Sequence, residues 1–325
     1  MAKRTEGTAE QKLRRSQNVK AHHWTIRKLE RVASYLPTFT QTVNRVYRTV
    51  YIDAFAGTGR IEPLSPQKTH RKALVKLSDS CTDGSARRSL QVVPSFQRYF
   101  FVDENKSNCA RLEALRNDFP SLSDRMLVKC ADANRSVVEF CDGIDWMQRR
   151  AVLFLDPFGL QVDWSTIEAV ARTHAMDMWY WFPLGVALNR LLPRKGQISK
   201  ANSLRLDRVF GSHAWHHAFY KTYTRQHLFG EDIKTMRIAS LRTLSRYFTR
   251  QLETVFPYVA QKPLWFCNSR GNPIYLLYFA TADPDAENRL ATAQRILSIP
   301  STARDFSSRF HKLLSGGTTV SAVGM

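Results

Sequence analysis

The stretch 48–60, RTVYIDAFAGTGR, decides the fold. A short apolar run ends in an acid, Asp53, and two glycines follow at alternate positions, Gly57 and Gly59. That order is typical of a buried strand that feeds a tight turn. Glycines let the main chain approach a ligand because no Cβ stands in the way. The spacing lacks the third glycine of the dinucleotide fingerprint, so a turn without any ligand is an equally valid interpretation of this stretch alone.

Apolar runs that end near an acid recur along the chain and alternate with helical patterns. Runs at 99–102, 126–130 and 151–155 lead to the acids Asp103, Asp132 and Asp156, and a fifth run covers 177–182. Five strands that alternate with helices predict a parallel sheet covered on both faces. Two further strand-like runs, 258–267 and 274–280, surround an Asn/Gly turn and predict a hairpin.

Three helical segments outside this alternation are also predicted. A helix over 19–36 ends before Pro37, and a short second helix covers 39–46. The polar side of the first helix is expected to face solvent with Arg27, Lys28 and Arg31. A long helix over 233–255 presents four arginines at spacings of four and five, which form one basic stripe or a solvated face. These are Arg237, Arg242, Arg246 and Arg250.

Length and composition bound the domain organisation. The 325 residues, 43% of them hydrophobic, suffice for one large domain with a sizeable core. We expect a flexible basic N-terminus over 1–18, a single α/β domain over 19–314 and a disordered tail over 315–325. Insertions are expected near 62–95 and 184–230. The first of them is either a mobile lid or a solvated loop.

The charge balance points to a polyanionic partner. Lys and Arg total 48 against 28 Asp and Glu, a net charge of +20. A folded basic face that binds DNA or RNA is favoured because the basic residues are spread along the chain; a generally basic protein is the alternative. The candidate nucleic-acid contacts are Arg60, Arg190, Arg194, Lys195, Arg242 and Arg246.

Cysteine, histidine and hydropathy patterns exclude other classes. The five cysteines include no C-x-x-C pair, which favours reduced thiols in a cytoplasmic protein over a disulfide framework or zinc site. No signal peptide and no run of 18 apolar residues is present, so no membrane span is expected. His213, His216 and His217 have a metal-like spacing, but no acid is expected nearby. Nucleic-acid contact or packing is favoured there, and no metal site is predicted.

Five parallel strands followed by an antiparallel hairpin resemble the class I S-adenosylmethionine-dependent methyltransferases. Within that superfamily the chain resembles the three-Cys-motif partner proteins, although Ala86 stands where that family usually has proline. The matching segments are 20–23 (KAHH), 51–60 (YIDAFAGTGR), 84–90 (GSARRSL), 156–159 (DPFG) and 189–190 (NR). The resemblance implies a Rossmann-like methyltransferase fold with a mostly parallel seven-stranded sheet, a C-terminal antiparallel hairpin and helical additions. It also implies a partner protein that carries the three cysteines.

The resemblance implies a cofactor site for S-adenosylmethionine at the carboxyl ends of the strands. Asp103 would accept hydrogen bonds from the ribose hydroxyls, and Asp132 from the adenine amino group. The free N–H groups of the glycine turn would meet the cofactor carboxylate. The residues expected at the methionine part are Asp53, Phe55, Gly57 and Gly59. For each acid taken alone, a solvated strand end is the alternative.

The segment Asp156-Pro157-Phe158 bears on the reaction. In amino-methyltransferases an Asp/Asn-Pro-Pro-aromatic stretch binds an exocyclic amine, and its aromatic ring stacks on an extruded base. Here Phe158 takes the position of the second proline and Gly159 that of the aromatic residue. Two functions stay open, a methyltransferase acting on nucleic acid and a non-catalytic binding member of a defence or mobile-element module. A nuclease is a weaker third, because no compact set of metal-binding acids supports it.

Overall fold

A computed structural model describes residues 21–61, 83–228, 230–268 and 271–299. Its strands are β1 Arg48–Asp53, β2 Arg98–Asp103, β3 Met126–Cys130, β4 Arg149–Leu155, β5 Met176–Phe182, β6 Tyr220–His227, β7 Gly230–Arg237, β8 Tyr258–Val259, β9 Leu264–Cys267 and β10 Pro273–Thr281. The central sheet has the strand order β3-β2-β1-β4-β5-β10-β8, with β9 paired to β10. Strands β1 to β5 are parallel and β10 is antiparallel to β5. The predicted α/β fold with a C-terminal antiparallel hairpin is confirmed.

The described part of the sheet has eight strands rather than the predicted seven. The run predicted as one strand over 258–267 is two strands, which pair with different parts of β10. Pro263 lies in the gap between them. Proline has no N–H to donate to a sheet ladder, which explains the interruption.

Helices cover both faces of the sheet in two separate hydrophobic layers. The helices are α1 Ala21–Val43, α2 Ser85–Leu90, α3 Lys106–Asp118, α4 Ala133–Gly143, α5 Trp164–Arg172, α6 Asn189–Leu191, α7 Lys200–Phe210, α8 Trp215–Phe219, α9 Leu241–Glu253 and α10 Glu287–Ser298. One layer contains α1, α2, α3 and α10, and the other contains α4, α5, α7, α8 and α9. A 3-10 turn (Pro120–Arg125) and a π turn (Leu184–Leu188) complete the described elements.

Helix α1 corrects two predictions. It is one continuous helix with Pro37 inside it, not two helices separated by that proline. Tyr35, Leu36 and Phe39 on either side of the proline are at most 1% exposed. Their packing on the sheet outweighs the hydrogen bond that proline cannot make.

The basic residues at the start of α1 do not face solvent as predicted. Lys28 is 5% exposed and Arg31 is 3% exposed, and Arg27 is half-buried. At the amino edge of the sheet, Tyr35 Oη donates a hydrogen bond to the buried carboxylate of Asp177 at 2.5 Å. This bond and the apolar face of α1 hold the helix against the sheet, so that its first turns reach the carboxyl edge.

The predicted helix over 233–255 is wrong in its first third. Residues 233–237 belong to β7, which forms a separate antiparallel hairpin with β6. Helix α9 begins only at Leu241, because the Ser240 hydroxyl caps it by accepting the Thr243 N–H at 3.1 Å. Arg237 therefore leaves the predicted stripe, whereas the three arginines at 242, 246 and 250 remain on α9 and are exposed.

Some predictions fall outside the described residues. They concern the N-terminus over 1–18, most of the insertion near 62–95 and the tail over 315–325. The domain boundaries stay predictions. In the ranges that the structure describes, no helix is long and apolar enough to cross a membrane.

Candidate active site

Three of the predicted acids lie together at the carboxyl edge of the sheet. Asp53 ends β1, Asp103 ends β2 and Asp156 follows β4. The register pairs Asp53 with Phe101 of β2 and with Phe154 of β4, so β1 lies between the other two strands. The parallel strands bring these acids to one edge, as the sequence predicted.

The glycine turn after β1 has the conformation that its sequence requires. Gly57 and Gly59 have φ of +60° and +71°, in the left-handed region that favours glycine. The sequence predicts free N–H groups in this turn, and that prediction is wrong for both glycines. The Gly57 N–H donates to Asp103 Oδ2 at 3.0 Å, and the Gly59 N–H donates to the Ala56 carbonyl at 3.4 Å. The turn is thus closed by the protein's own acceptors.

Asp53 is a buried acid that lacks regular hydrogen bonds. Its side chain is 0% exposed, and within the described part of the chain neither carboxylate oxygen has a hydrogen-bond partner of regular geometry. The pKa of Asp53 is raised to about 7, chiefly by burial and also by the charge of Asp156, against the opposing effects of the Ser85 hydroxyl, the Phe55 N–H and Lys28. A buried carboxylate in this state is suited to bind a cationic group.

Asp103 is held by three donors. Its Oδ1 accepts the Asn105 N–H at 2.8 Å and the Asn108 amide at 3.0 Å, and its Oδ2 accepts Gly57. The side chain stays half-buried, and a carboxylate has about four acceptor positions. Asp103 can therefore accept a further hydrogen bond from a ligand hydroxyl.

Asp132 and Phe55 have structural contacts of their own. Asp132 is exposed and caps α4, because its Oδ1 accepts the Arg135 N–H at 2.9 Å. Phe55 is half-buried and packs against the apolar layer that contains α4 and α5. Their assigned roles at the adenine and methionine parts stay predictions.

Asp156 makes an ion pair that the sequence analysis missed. Lys28 Nζ of α1 donates to Asp156 Oδ1 at 2.6 Å and to Oδ2 at 2.5 Å. The lysine side chain is 7% exposed and the aspartate side chain 21%. A signal existed in the sequence, because Lys28 precedes the buried residues Val32 and Tyr35 by four and seven positions.

Aromatic side chains surround this ion pair. Lys28 Nζ lies 4.9 Å from the centroid of the Trp181 ring, and Trp181 stacks on Tyr275 at 4.6 Å. Burial raises the pKa of Tyr275 to about 12, and the Asp156 charge adds to the rise while Arg190 opposes it. The Lys28 ammonium is thus held by the charge of Asp156 and by the face of the Trp181 ring.

Pro157 and Phe158 have opposite environments. Pro157 is buried, whereas the Phe158 side chain is 84% exposed. The Phe158 N–H donates to Gln161 Oε1 at 2.9 Å, which fixes the backbone after Asp156. The ring lies exposed at the surface, and its stacking on a base stays a prediction.

The predicted nucleic-acid contacts are dispersed. Arg60 lies 3.3 Å from Asp118 at the surface. Arg190, Arg194 and Lys195 are exposed on the segment that follows β5. Arg242 and Arg246 line an open groove of about 1020 Å³ between α9 and the β9–β10 hairpin, together with Lys262 and Trp265.

The histidine cluster has an acid beside it, contrary to the prediction. His213 Nδ1 lies 2.9 Å from Asp207 Oδ1, and the Trp215 indole donates to the same oxygen at 2.7 Å. His216 stacks on His213 and on Tyr220. No group of three or more metal-ligating side chains occurs in the described ranges. Packing accounts for these contacts.

No family model matches the chain, and no curated protein matches it. Among solved structures, the chain is similar to a protein from Legionella pneumophila, with 8% identity, TM-score 0.44 and coverage of 84% of this chain and 90% of the other. A spermidine synthase bound to a transition-state analogue has 11% identity and TM-score 0.37, covering 86% and 71%. A methyltransferase from Geobacter sulfurreducens has 13% identity and TM-score 0.28, covering 64% and 78%.

The raised pKa of Asp53 predicts a pH dependence of stability. Because the native state holds this proton more tightly than the unfolded chain, the free energy of unfolding should fall as pH rises from about 4 to 7. Asp53→Asn stays neutral throughout, so it should remove up to about 4 kcal/mol of that fall. Urea unfolding at several pH values measures it, with the exposed Asp142→Asn as the control. Identical pH profiles for Asp53→Asn and the wild type would contradict the assignment.

Proposed function

We propose that this chain is an S-adenosylmethionine-dependent methyltransferase that acts on an exocyclic amine of nucleic acid. The observation that carries the proposal is the buried carboxylate of Asp53, without regular hydrogen bonds, next to Asp156. One acid would bind the cofactor and its neighbour the methyl acceptor, at the ends of adjacent strands.

The residues present fit the proposed cofactor. Its amino-acid end carries an ammonium group, whose charge the buried Asp53 carboxylate would attract from the end of β1. Its ribose hydroxyls match the remaining acceptor positions of Asp103. When bound, the cofactor supplies a methyl group on a positively charged sulfur.

Asp156 is suited to hold an acceptor amine. Its two oxygens already accept N–H donors from Lys28 at 2.5 and 2.6 Å, which supports the choice of a nitrogen group as the ligand there. An exocyclic amine in that place would be oriented by the carboxylate and would present its lone pair for attack. With the cofactor bound, its methyl group would pass from sulfur to the amine nitrogen, and the Asp156 carboxylate would accept the proton that the amine loses. The charge of +20 supports nucleic acid as the carrier of that amine.

A direct test uses S-adenosylmethionine labelled with tritium in the methyl group. The full chain is incubated with duplex DNA, duplex RNA and single strands, and the labelled nucleoside is identified after digestion. Label on an exocyclic amine is expected. Binding of the cofactor without transfer to any nucleic acid would contradict the proposed reaction.

A non-catalytic binding protein is the second candidate, and the Lys28–Asp156 ion pair favours it. Lys28 occupies both oxygens that an acceptor amine needs. In this alternative the pair is purely structural and the chain binds nucleic acid or a three-Cys-motif protein. Lys28→Met separates the two, because it frees the carboxylate: transfer that persists or rises supports the enzyme, and no transfer in either form supports the binding protein.

A further inference from the structure

The β6–β7 hairpin is a two-stranded ribbon outside the central sheet. Its register pairs Tyr220 with Arg237 at the base and His227 with Gly230 at the tip. Eight residues per strand give a length of about 27 Å, at about 3.4 Å per residue. Nearly every described side chain between base and tip is exposed. An isolated hairpin of this kind is marginal in water unless it is anchored or bound.

The base of the ribbon is firmly anchored near the candidate active site. The Arg237 guanidinium donates to Asn189 Oδ1 at 2.8 Å and to the carbonyls of Leu192 and Ala239 at 2.9 Å. The Tyr220 hydroxyl donates to the Pro193 carbonyl at 2.9 Å. The anchoring segment follows β5 at the carboxyl edge of the sheet. The ribbon therefore extends from the edge that carries Asp53 and Asp156.

The two faces of the ribbon differ in chemistry. One face is largely uncharged, with a Thr222–Thr235 hydrogen bond at 3.0 Å and a Gln226–Glu231 hydrogen bond at 3.0 Å. The other face, which we call the basic face, has three cations and one acid. It comprises Lys221, Tyr223, Arg225, Asp232, Lys234 and Met236.

Exposed apolar side chains also concentrate on the ribbon. Tyr223 is 49% exposed, Met236 41% and Ile233 68%, and Leu228 at the tip is 95% exposed. Lys221 Nζ lies 5.6 Å from the centroid of the Tyr223 ring. Exposed apolar groups among cations are typical of surfaces that bind a partner rather than water alone.

We infer that the basic face of the ribbon binds duplex DNA in its major groove. This deepens the proposed function, on which it rests, by naming duplex DNA as the substrate class. The major groove of B-DNA, about 12 Å wide, admits a two-stranded ribbon, whereas the deep, narrow major groove of A-form RNA does not. Single strands usually need several aromatic side chains in succession, and the basic face has one, Tyr223.

The test compares two variants that each remove three positive charges. The ribbon variant is Lys221→Gln/Arg225→Gln/Lys234→Gln. The control is Arg45→Gln/Arg48→Gln/Arg172→Gln, whose exposed positions lie at the amino edge of the sheet. Fluorescence anisotropy with a labelled DNA duplex, at several salt concentrations and without cofactor, measures the affinity. Circular dichroism verifies that both variants fold.

The ribbon variant should bind duplex DNA about tenfold or more weakly than the control. The slope of its log affinity against log salt concentration should be smaller in magnitude by about 3. Bound wild type should protect guanine N7 in the major groove from dimethyl sulfate while leaving adenine N3 in the minor groove reactive. Equal affinities of ribbon variant and control would overturn the inference. So would an equal dependence of duplex RNA binding on the ribbon, or protection confined to the minor groove.

The outcome is distinguishable from failure of the proposed function. DNA binding is measured without cofactor, so ribbon-dependent binding by a chain that transfers no methyl group would support the ribbon inference and refute the enzyme. If the ribbon variant instead binds DNA with unchanged affinity and still methylates it, the enzyme is supported and the ribbon inference is refuted.

Discussion

Asp156→Asn should destabilise the fold by about 3 kcal/mol, because it leaves the Lys28 ammonium buried without its counter-charge. Lys28 is 5% exposed and makes both of its described hydrogen bonds to this carboxylate. Lys28→Met should cost less, about 1–2 kcal/mol, since the Asp156 side chain is 21% exposed and can be solvated, and the methionine can pack on Trp181. Urea unfolding measures each free energy of unfolding.

The double variant Lys28→Met/Asp156→Asn completes a thermodynamic cycle. It should be more stable than Asp156→Asn alone, with a coupling energy of about 2 kcal/mol between the two positions. The matched control is Arg60→Gln, which breaks an ion pair with Asp118 at 59% and 38% side-chain exposure and should have no measurable effect. Strictly additive effects at 28 and 156 would show that the contact does not stabilise α1 on the sheet.

Asp156→Ala should lower methyl transfer by about 10²–10⁴-fold, because it removes the side-chain oxygen that would accept an amine hydrogen and orient the amine. Binding of S-adenosylmethionine should be retained, since Asp53 and Asp103 carry that contact in this account. Single-turnover transfer of a tritiated methyl group to duplex DNA measures the rate.

Lys28→Met is the informative control for that rate. It breaks the same ion pair but leaves the carboxylate in place, so it separates loss of the pair from loss of the acceptor site. Transfer in Lys28→Met should equal or exceed that of the wild type. Equal losses in both variants would indicate that the ion pair matters only for positioning α1.

The sheet could be predicted because its signals are local. Each parallel strand is a short apolar run. Because parallel strands run in one direction, the acids at 53, 103 and 156, which end or follow their strands, lie at the same edge of the sheet. The chemical partners of those acids could not be predicted, because Lys28 meets Asp156 across 128 residues of sequence. A lysine on an amphipathic helix is usually solvated, and only the packed position of α1 reverses that expectation.

The ribbon was missed for a different physical reason. Both of its faces are exposed, so its sequence lacks the apolar–polar alternation that marks a half-buried strand. The arginine spacing that continues into α9 suggested a helix instead, although Ser240 starts that helix. The capping serine is a local signal, so the start of α9 could be predicted from the sequence. The anchoring of Arg237 by Asn189 is a tertiary contact and could not be predicted.

Calorimetric titration of S-adenosylmethionine into the full chain, with and without duplex DNA, tests the central claim most directly. At pH 8 we expect one site with a Kd of about micromolar, weakened about 100-fold by Asp53→Asn and unchanged by Asp142→Asn. Because the pKa of Asp53 is raised to about 7, the wild-type affinity should fall as pH drops from 8 to 6. Absence of binding in the wild type, or equal affinity in Asp53→Asn, would contradict a cofactor site at the end of β1.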